Sequence, residues 1–273
     1  MSLALLYAVA CAAYVWHFAS QKPLAGRVAT GLLLVSVLVH TFELGMYTME
    51  LGVPPMAGRT GAISTFVWML AVSYLSIEVS TDERGIGIFV TPLLVALQAL
   101  VAHGEMPTDV PRYFATPFVA VHVGALLFAY ASFALACVIG ITYMLLFREL
   151  KRRTPGMFFQ RLPSLQVLDR MNMRAVWIGW LLLTIGLVGG ALWLRDVSAQ
   201  MTNDPRLPHM TLADPKILMA VVTWIVYGVL LASRRWAGLT ARRAAWLSAV
   251  GFAIVLLNFL PVAYFFARSH NFA

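Results

Sequence analysis

Charge is scarce in this sequence. Charged residues make up only 12% of its 273 residues, where a soluble domain carries roughly 25%. With 60% hydrophobic residues, too little polar surface remains to cover a water-soluble globule, so lipid must be the solvent for most of the chain. Cysteine is nearly absent as well: Cys11 and Cys137 are the only two, far apart, each within an apolar run and in no C-x-x-C or zinc pattern. No thiol redox apparatus is visible, and both read as small buried hydrophobes. H-E-x-x-H, G-x-S-x-G, a P-loop and a dinucleotide fingerprint are missing too, which weighs against the familiar zinc-protease, serine-hydrolase and nucleotide-binding chemistries. The start, Met1-Ser2-Leu3-Ala4-Leu5-Leu6-Tyr7, carries no basic segment, so the expectation is a retained helix rather than a cleaved signal peptide.

Long apolar runs are what the chain does have. A span needs about 20 mostly apolar residues. Candidates run from Leu3 to Ala19, Val28 to Tyr47, Ala62 to Val79, Ile86 to His103, Pro117 to Phe147, Val176 to Trp193, Ile217 to Ala232 and Ala244 to Phe266. The fifth is long enough to tilt or to project beyond the bilayer. No repeat, low-complexity stretch or loop large enough for a second domain interrupts them, so residues 1–273 read as a single transmembrane helical domain.

The net charge of +8 would suggest nucleic acid in a soluble protein. Here the basic residues sit in short loops between apolar runs, so they report topology and no nucleic-acid partner is expected. Alternate connections hold fourteen of the twenty Lys and Arg residues, among them Lys22, Arg27, Arg84, Arg148, Lys151, Arg152, Arg161, Arg170, Arg174, Arg234 and Arg242. The opposite side holds six: Arg59, Arg112, Arg195, Arg206, Lys216 and Arg268. The expectation is therefore an all-α polytopic membrane protein of about eight transmembrane helices. Both termini would lie on the outer (periplasmic or extracytoplasmic) side, with the Arg-rich loops in the cytoplasm. Trp16, Trp236 and Trp246 would then line the inner interface and Trp193 the outer one.

Histidine placement is the informative feature. His17 falls at the inner end of the first helix, whereas His40, His103, His122, His209 and His270 fall on or near the outer side. A histidine at an interface can be simply an amphipathic anchor. His40 lies deeper, where ionisable residues are costly and usually functional; with Glu43 and Tyr47 following at helical spacing, it reads either as a ligand or as part of a satisfied polar cluster. Imidazole is a common axial ligand of haem iron, and two histidines on neighbouring outer helix ends could hold a planar macrocycle between them. Glu43 and Glu78 are the other intramembrane charges, fewer than a proton-coupled transporter usually shows. Asp214 and Pro215 read as the N-cap and first residue of helix seven, and Trp224 and Tyr227 as packing residues on it.

The segment His122-Val-Gly-Ala-Leu-Leu-Phe-Ala-Tyr-Ala-Ser-Phe-Ala134 resembles the helix of CcsA-type cytochrome c assembly proteins that begins with a haem-ligating histidine. Leu168-Asp169-Arg170, the run from Ile178-Gly179 through Leu182-Leu183-Thr184-Ile185-Gly186 to Gly190-Ala191-Leu192-Trp193, then Asp214-Pro215-Lys216 with Thr223-Trp224 and Tyr227, follow in the family's order. Arg242-Arg243-Ala244-Ala245-Trp246, Gly251-Phe252 and the closing Ser269-His270-Asn271-Phe272 complete it. The resemblance is strongest over residues 118–272 and implies eight helices in the bacterial inner (cytoplasmic) membrane. It implies non-covalent, b-type haem held at the outer face between His122 and His270. His40 matches a histidine that binds haem within the membrane.

One departure stands out. The family's W-G-x-x-W-x-W-D signature, whose aromatic surface cradles haem, is replaced here by Met210-Thr211-Leu212-Ala213-Asp214. Met201, His209 and Met210 in that loop are the available substitutes as iron or ring contacts. The chain is thus expected to be a haem-handling assembly factor rather than a self-sufficient enzyme, working with other cytochrome c assembly proteins and in contact with membrane lipid. The alternative is a HemX-like non-catalytic regulator or subunit without haem, docking a cytoplasmic partner through the Arg-rich loop 148–174. A small-solute transporter is the third reading.

Overall fold

The computed structural model describes residues 2–52, 54–56, 58–102, 104, 117–152, 156–200 and 215–257. Every regular element among them is a helix: α1 (Ser2–Ser20), α2 (Pro23–Leu51), α3 (Gly58–Thr81), α4 (Gly87–Ala102), α5 (Pro117–Lys151), α6 (Met157–Arg161), α7 (Leu165–Gln200), α8 (Pro215–Trp236) and α9 (Ala241–Leu257). Six of these, α1, α2, α3, α5, α7 and α8, are long and apolar enough to cross a membrane, and α4 is a shorter apolar helix of 16 residues. The chain is a polytopic membrane protein. Of the expected eighth span, α9 covers the first part, and its remainder lies outside the described residues.

Local chemistry sets several boundaries. Pro23 starts α2, where its missing N–H costs nothing. Gly52 ends that helix at φ 65°, and its N–H donates to Thr48 O at 2.9 Å, the left-handed stop that glycine adopts without strain. Pro215 opens α8 as expected, while the cap assigned to Asp214 lies outside the described residues. Two departures from the apolar-run reading have a common cause. α7 begins eleven residues before Val176, and the short α6 precedes it, because hydropathy marks where lipid begins rather than where helical hydrogen bonding does.

α3 joins two groups of helices. It packs against α2 and α4, which with α1 form the first group, and against α5 on its other side. The second group is built on the long α5·α7 contact, with α9 against α5 and α8 against both α7 and α9. Small residues allow these close approaches, as lipid-embedded packing favours: a Cβ on Gly140 of α5 would fall 2.6 Å from Ala245 O of α9. Between the groups of side chains, Phe133 of α5 stacks on Tyr227 of α8 at 3.7 Å. Trp180 of α7 stacks on Trp224 of α8 at 5.4 Å, with its Nε1–H donating to Trp224 O. Trp224 and Tyr227 therefore pack as expected. Outward faces are apolar: Phe42 is 69% exposed and Leu181 56%.

The Arg-rich connections gather at one end of the bundle. Arg161 lies over the Phe18 ring, Asp169 pairs with Arg234, and Arg174 Nη1 donates to Ser80 Oγ at 2.9 Å. Trp16, Trp236 and Trp246 are exposed at that end. The start of α5 and the later part of α7 lie at the other.

Candidate functional site

His122 sits in the second turn of α5, where α5 and α7 run antiparallel and the facing stretch of α7 carries Gly186, Gly189 and Gly190. The imidazole lies directly on this glycine surface: a Cβ at Gly190 would be 2.5 Å from His122 Cε1 and 2.8 Å from Nδ1. Alanine there would collide with the ring. Nδ1 is 2.6 Å from Gly186 O. A carbonyl oxygen only accepts, so Nδ1 carries the hydrogen and donates it. A neutral ring in that tautomer has its lone pair on Nε2. Metal-binding histidines are ordinarily oriented in this way, by a second ring nitrogen donating to a backbone carbonyl or carboxylate.

His40 is held quite differently. Midway along α2, it is fully buried, with Tyr7 Oη of α1 3.0 Å from Nδ1 and Ser64 Oγ of α3 2.9 Å from Nε2. Both partners are hydroxyls, so one nitrogen donates and the other accepts, and the imidazole ties three helices together. Tyr7 also meets the ring edge-on at 5.8 Å. The His40 contacts come from neighbouring helices rather than from Glu43 and Tyr47 below it on α2. His17 lies at the Arg-rich end with Nδ1 3.3 Å from Lys22 O, in the position of an interfacial anchor. His103, His209 and His270 lie outside the described residues, as do Met201 and Met210.

Residues that the sequence reading did not single out, or in Glu78 and Arg84 noted only for their charge, complete the picture. Tyr7 and Ser64 are the partners of His40. At the Arg-rich end, Glu78 is buried and accepts from Tyr14 Oη at 2.6 Å and from Thr30 Oγ1 at 2.5 Å, while Arg84 Nε donates to Thr30 Oγ1 at 3.2 Å. That network joins α1, α2, α3 and the α3–α4 turn. None of these partners carries a local signature, because each is dozens of residues away in sequence. Gly186 and Gly190 did stand in a recognisable block, but their use as a bed for an imidazole follows only from the α5–α7 contact. Among the described residues, no three His, Cys, Asp or Glu side chains come together as a metal cluster.

The family model described as "Cytochrome C assembly protein" matches residues 2–270. The chain belongs to the cytochrome c assembly protein family. It is similar to the protein named "Cytochrome c biogenesis protein CcsA" of Guillardia theta, with 24% identity over 265 residues covering 90% of this chain and 85% of the relative. The protein of the same name from Chlorella vulgaris is 26% identical over 258 residues, covering 81% and 78%. That of Microcystis aeruginosa is 24% identical, covering 90% and 87%. Within a cytochrome c assembly protein, His122 on its glycine bed and His40 between its two hydroxyls are the described histidines that lie away from the Arg-rich end.

Proposed function

We propose that this protein binds and presents haem in cytochrome c biogenesis, with His122 as an axial ligand through Nε2. The single observation that carries this is the Nδ1–H bond to Gly186 O, made by a ring bedded on Gly190. Together they hold one tautomer and one orientation of the ring, which supports a ligating role. The donor set fits the group: a neutral imidazole suits haem iron, and the absence of a Cβ at 190 leaves room for the ring in this pose. The names of the relatives, cytochrome c biogenesis proteins, point to the same use.

On this reading His270 is the second axial ligand, the haem is b-type and non-covalent, and the site faces the outer side of the bacterial cytoplasmic membrane. His209, which precedes α8 in the sequence, is a further contact on this reading. Haem would be cargo here, supplying the iron porphyrin that a cytochrome receives, and apocytochrome would be brought by partner proteins. His40 as an iron ligand would have to surrender either Tyr7 or Ser64, so we read it first as a polar pin of the α1–α2–α3 group.

The second reading, a haem-free subunit docking a cytoplasmic partner through residues 148–174, draws on the exposure of Arg148, Lys151 and Arg152. Oxidised and reduced visible spectra of the detergent-purified protein, beside His122→Ala and His270→Ala, separate the two. A Soret band that shifts or disappears in both variants while the fold persists supports haem ligation. A wild-type protein that stays haem-free after haem is added sinks it and favours the subunit.

A further inference from the structure

A groove of about 410 Å³ opens between α3 and α7 near the Arg-rich end. Along α7 its wall reads Arg170, Met173, Arg174, Trp177, Ile178, and along α3 it reads Ser80, Ile77, Ser76. The order matters. Arg170 and Ser80 stand nearest the ends of their helices, Arg174 lies one turn in from Arg170, and Trp177 lies about 10 Å further into the bundle from Arg170, at 1.5 Å per residue. Cationic groups thus sit at the end of the groove and apolar ones toward the middle of the membrane. Trp177 is 55% exposed and Ile178 42%, so this deeper part opens toward lipid.

Among the described residues no carboxylate forms an ion pair with either guanidinium group, and Asp82, just beyond Ser80, pairs with Arg84. No carboxylate lines the groove. Asp169, one residue before Arg170, is taken by Arg234 of α8, and Glu78 of α3 is turned to Tyr14 and Thr30. Among the described residues Arg170 makes no ion pair, and Arg174 is steadied by its bond to Ser80 Oγ at 2.9 Å. An amphiphile with an anionic head and an apolar tail matches this arrangement at both ends. Basic pockets between transmembrane helices are a recurrent form of anionic-lipid recognition.

We propose that the α3–α7 groove is a binding site for an anionic phospholipid, its phosphate between Arg170 and Arg174 and an acyl chain along Ile77, Trp177 and Ile178. The site is independent of haem ligation at the opposite end of the bundle.

The full-length protein in mild detergent, titrated with phosphatidylglycerol or with phosphatidylcholine of the same chains and read by native mass spectrometry, tests this. The wild type is expected to retain phosphatidylglycerol in preference to phosphatidylcholine. Arg170→Gln/Arg174→Gln should retain roughly tenfold to thirtyfold less phosphatidylglycerol, the loss expected for two basic side chains. Arg148→Gln/Lys151→Gln, which removes two exposed charges outside the groove, should behave as wild type. Without any change to the arginines, phosphatidylglycerol with brominated chains should quench a component of the tryptophan emission that Trp177→Phe removes. Equal retention of the two lipids, equal losses in the two double variants, or quenching that Trp177→Phe leaves unchanged would overturn the proposal. So would an arginine-dependent site that takes added haem and not phosphatidylglycerol.

Discussion

His40 and His122 invite a direct comparison. Both are imidazoles on long apolar helices, and both are removed from the Arg-rich end. The His40 ring is enclosed by the first helix group, with a hydroxyl at each nitrogen. The His122 ring belongs to the second, where a backbone carbonyl fixes the proton on Nδ1 and glycines make room for the ring. Hydroxyls can donate or accept, so the His40 site tolerates either tautomer and serves as a joint between helices. A carbonyl allows one tautomer only, which presets Nε2 as the lone-pair nitrogen. A histidine deep in a membrane is thus not marked as a ligand by depth alone. What its partners demand of its proton tells more.

This contrast can be attacked at either end. The largest effect is expected from Gly190→Ala, whose new methyl would meet the imidazole and turn Nδ1 away from Gly186 O. Haem affinity should fall about tenfold to a hundredfold, the usual cost of losing an outer-shell orienting contact, and a haem titration followed by absorbance measures it. His40→Ala should do the opposite. Leaving Tyr7 and Ser64 without their partner should lower stability by about 1–3 kcal/mol, seen as a lower unfolding midpoint in detergent, while the haem titration stays near wild type. A large loss of haem binding with unchanged stability would reverse the roles of the two histidines. Tyr7→Phe removes one hydrogen bond of the joint and should cost about 0.6 kcal/mol, the average for such bonds between transmembrane helices. A drop as large as that of His40→Ala would mean that the Tyr7 contact carries the whole joint.

Much of the fold was legible because lipid imposes a simple demand. Each apolar run of membrane-spanning length had to become a helix, and those at residues 3–19, 28–47, 62–79 and 117–147 did so, extending a few residues beyond the apolar limits. The segment from Leu165 to Ala175, with Asp169, Arg170, Asn172 and Arg174, was not legible as helix by that criterion. Three of its polar side chains find partners within the bundle instead: Asp169 in Arg234, Asn172 in Ala136 O of α5 and Ser248 of α9, and Arg174 in Ser80 of α3. For the candidate site, the sequence singled out His122, His270, His40 and His209, but for the described pair, His122 and His40, it could not show what holds either ring. The partners that distinguish them, Gly186 on one side and Tyr7 with Ser64 on the other, lie 64, 33 and 24 residues away. Only packing brings them together.

The most direct test of the haem-ligation proposal is cavity rescue at His122. His122→Gly protein would be purified, loaded with haem and followed at the Soret band with and without added imidazole. The expected result is loss or displacement of the wild-type band, and its recovery when free imidazole enters the space left by the side chain. A His122→Gly protein that binds haem with the wild-type spectrum and affinity, and does not respond to imidazole, would contradict ligation by His122.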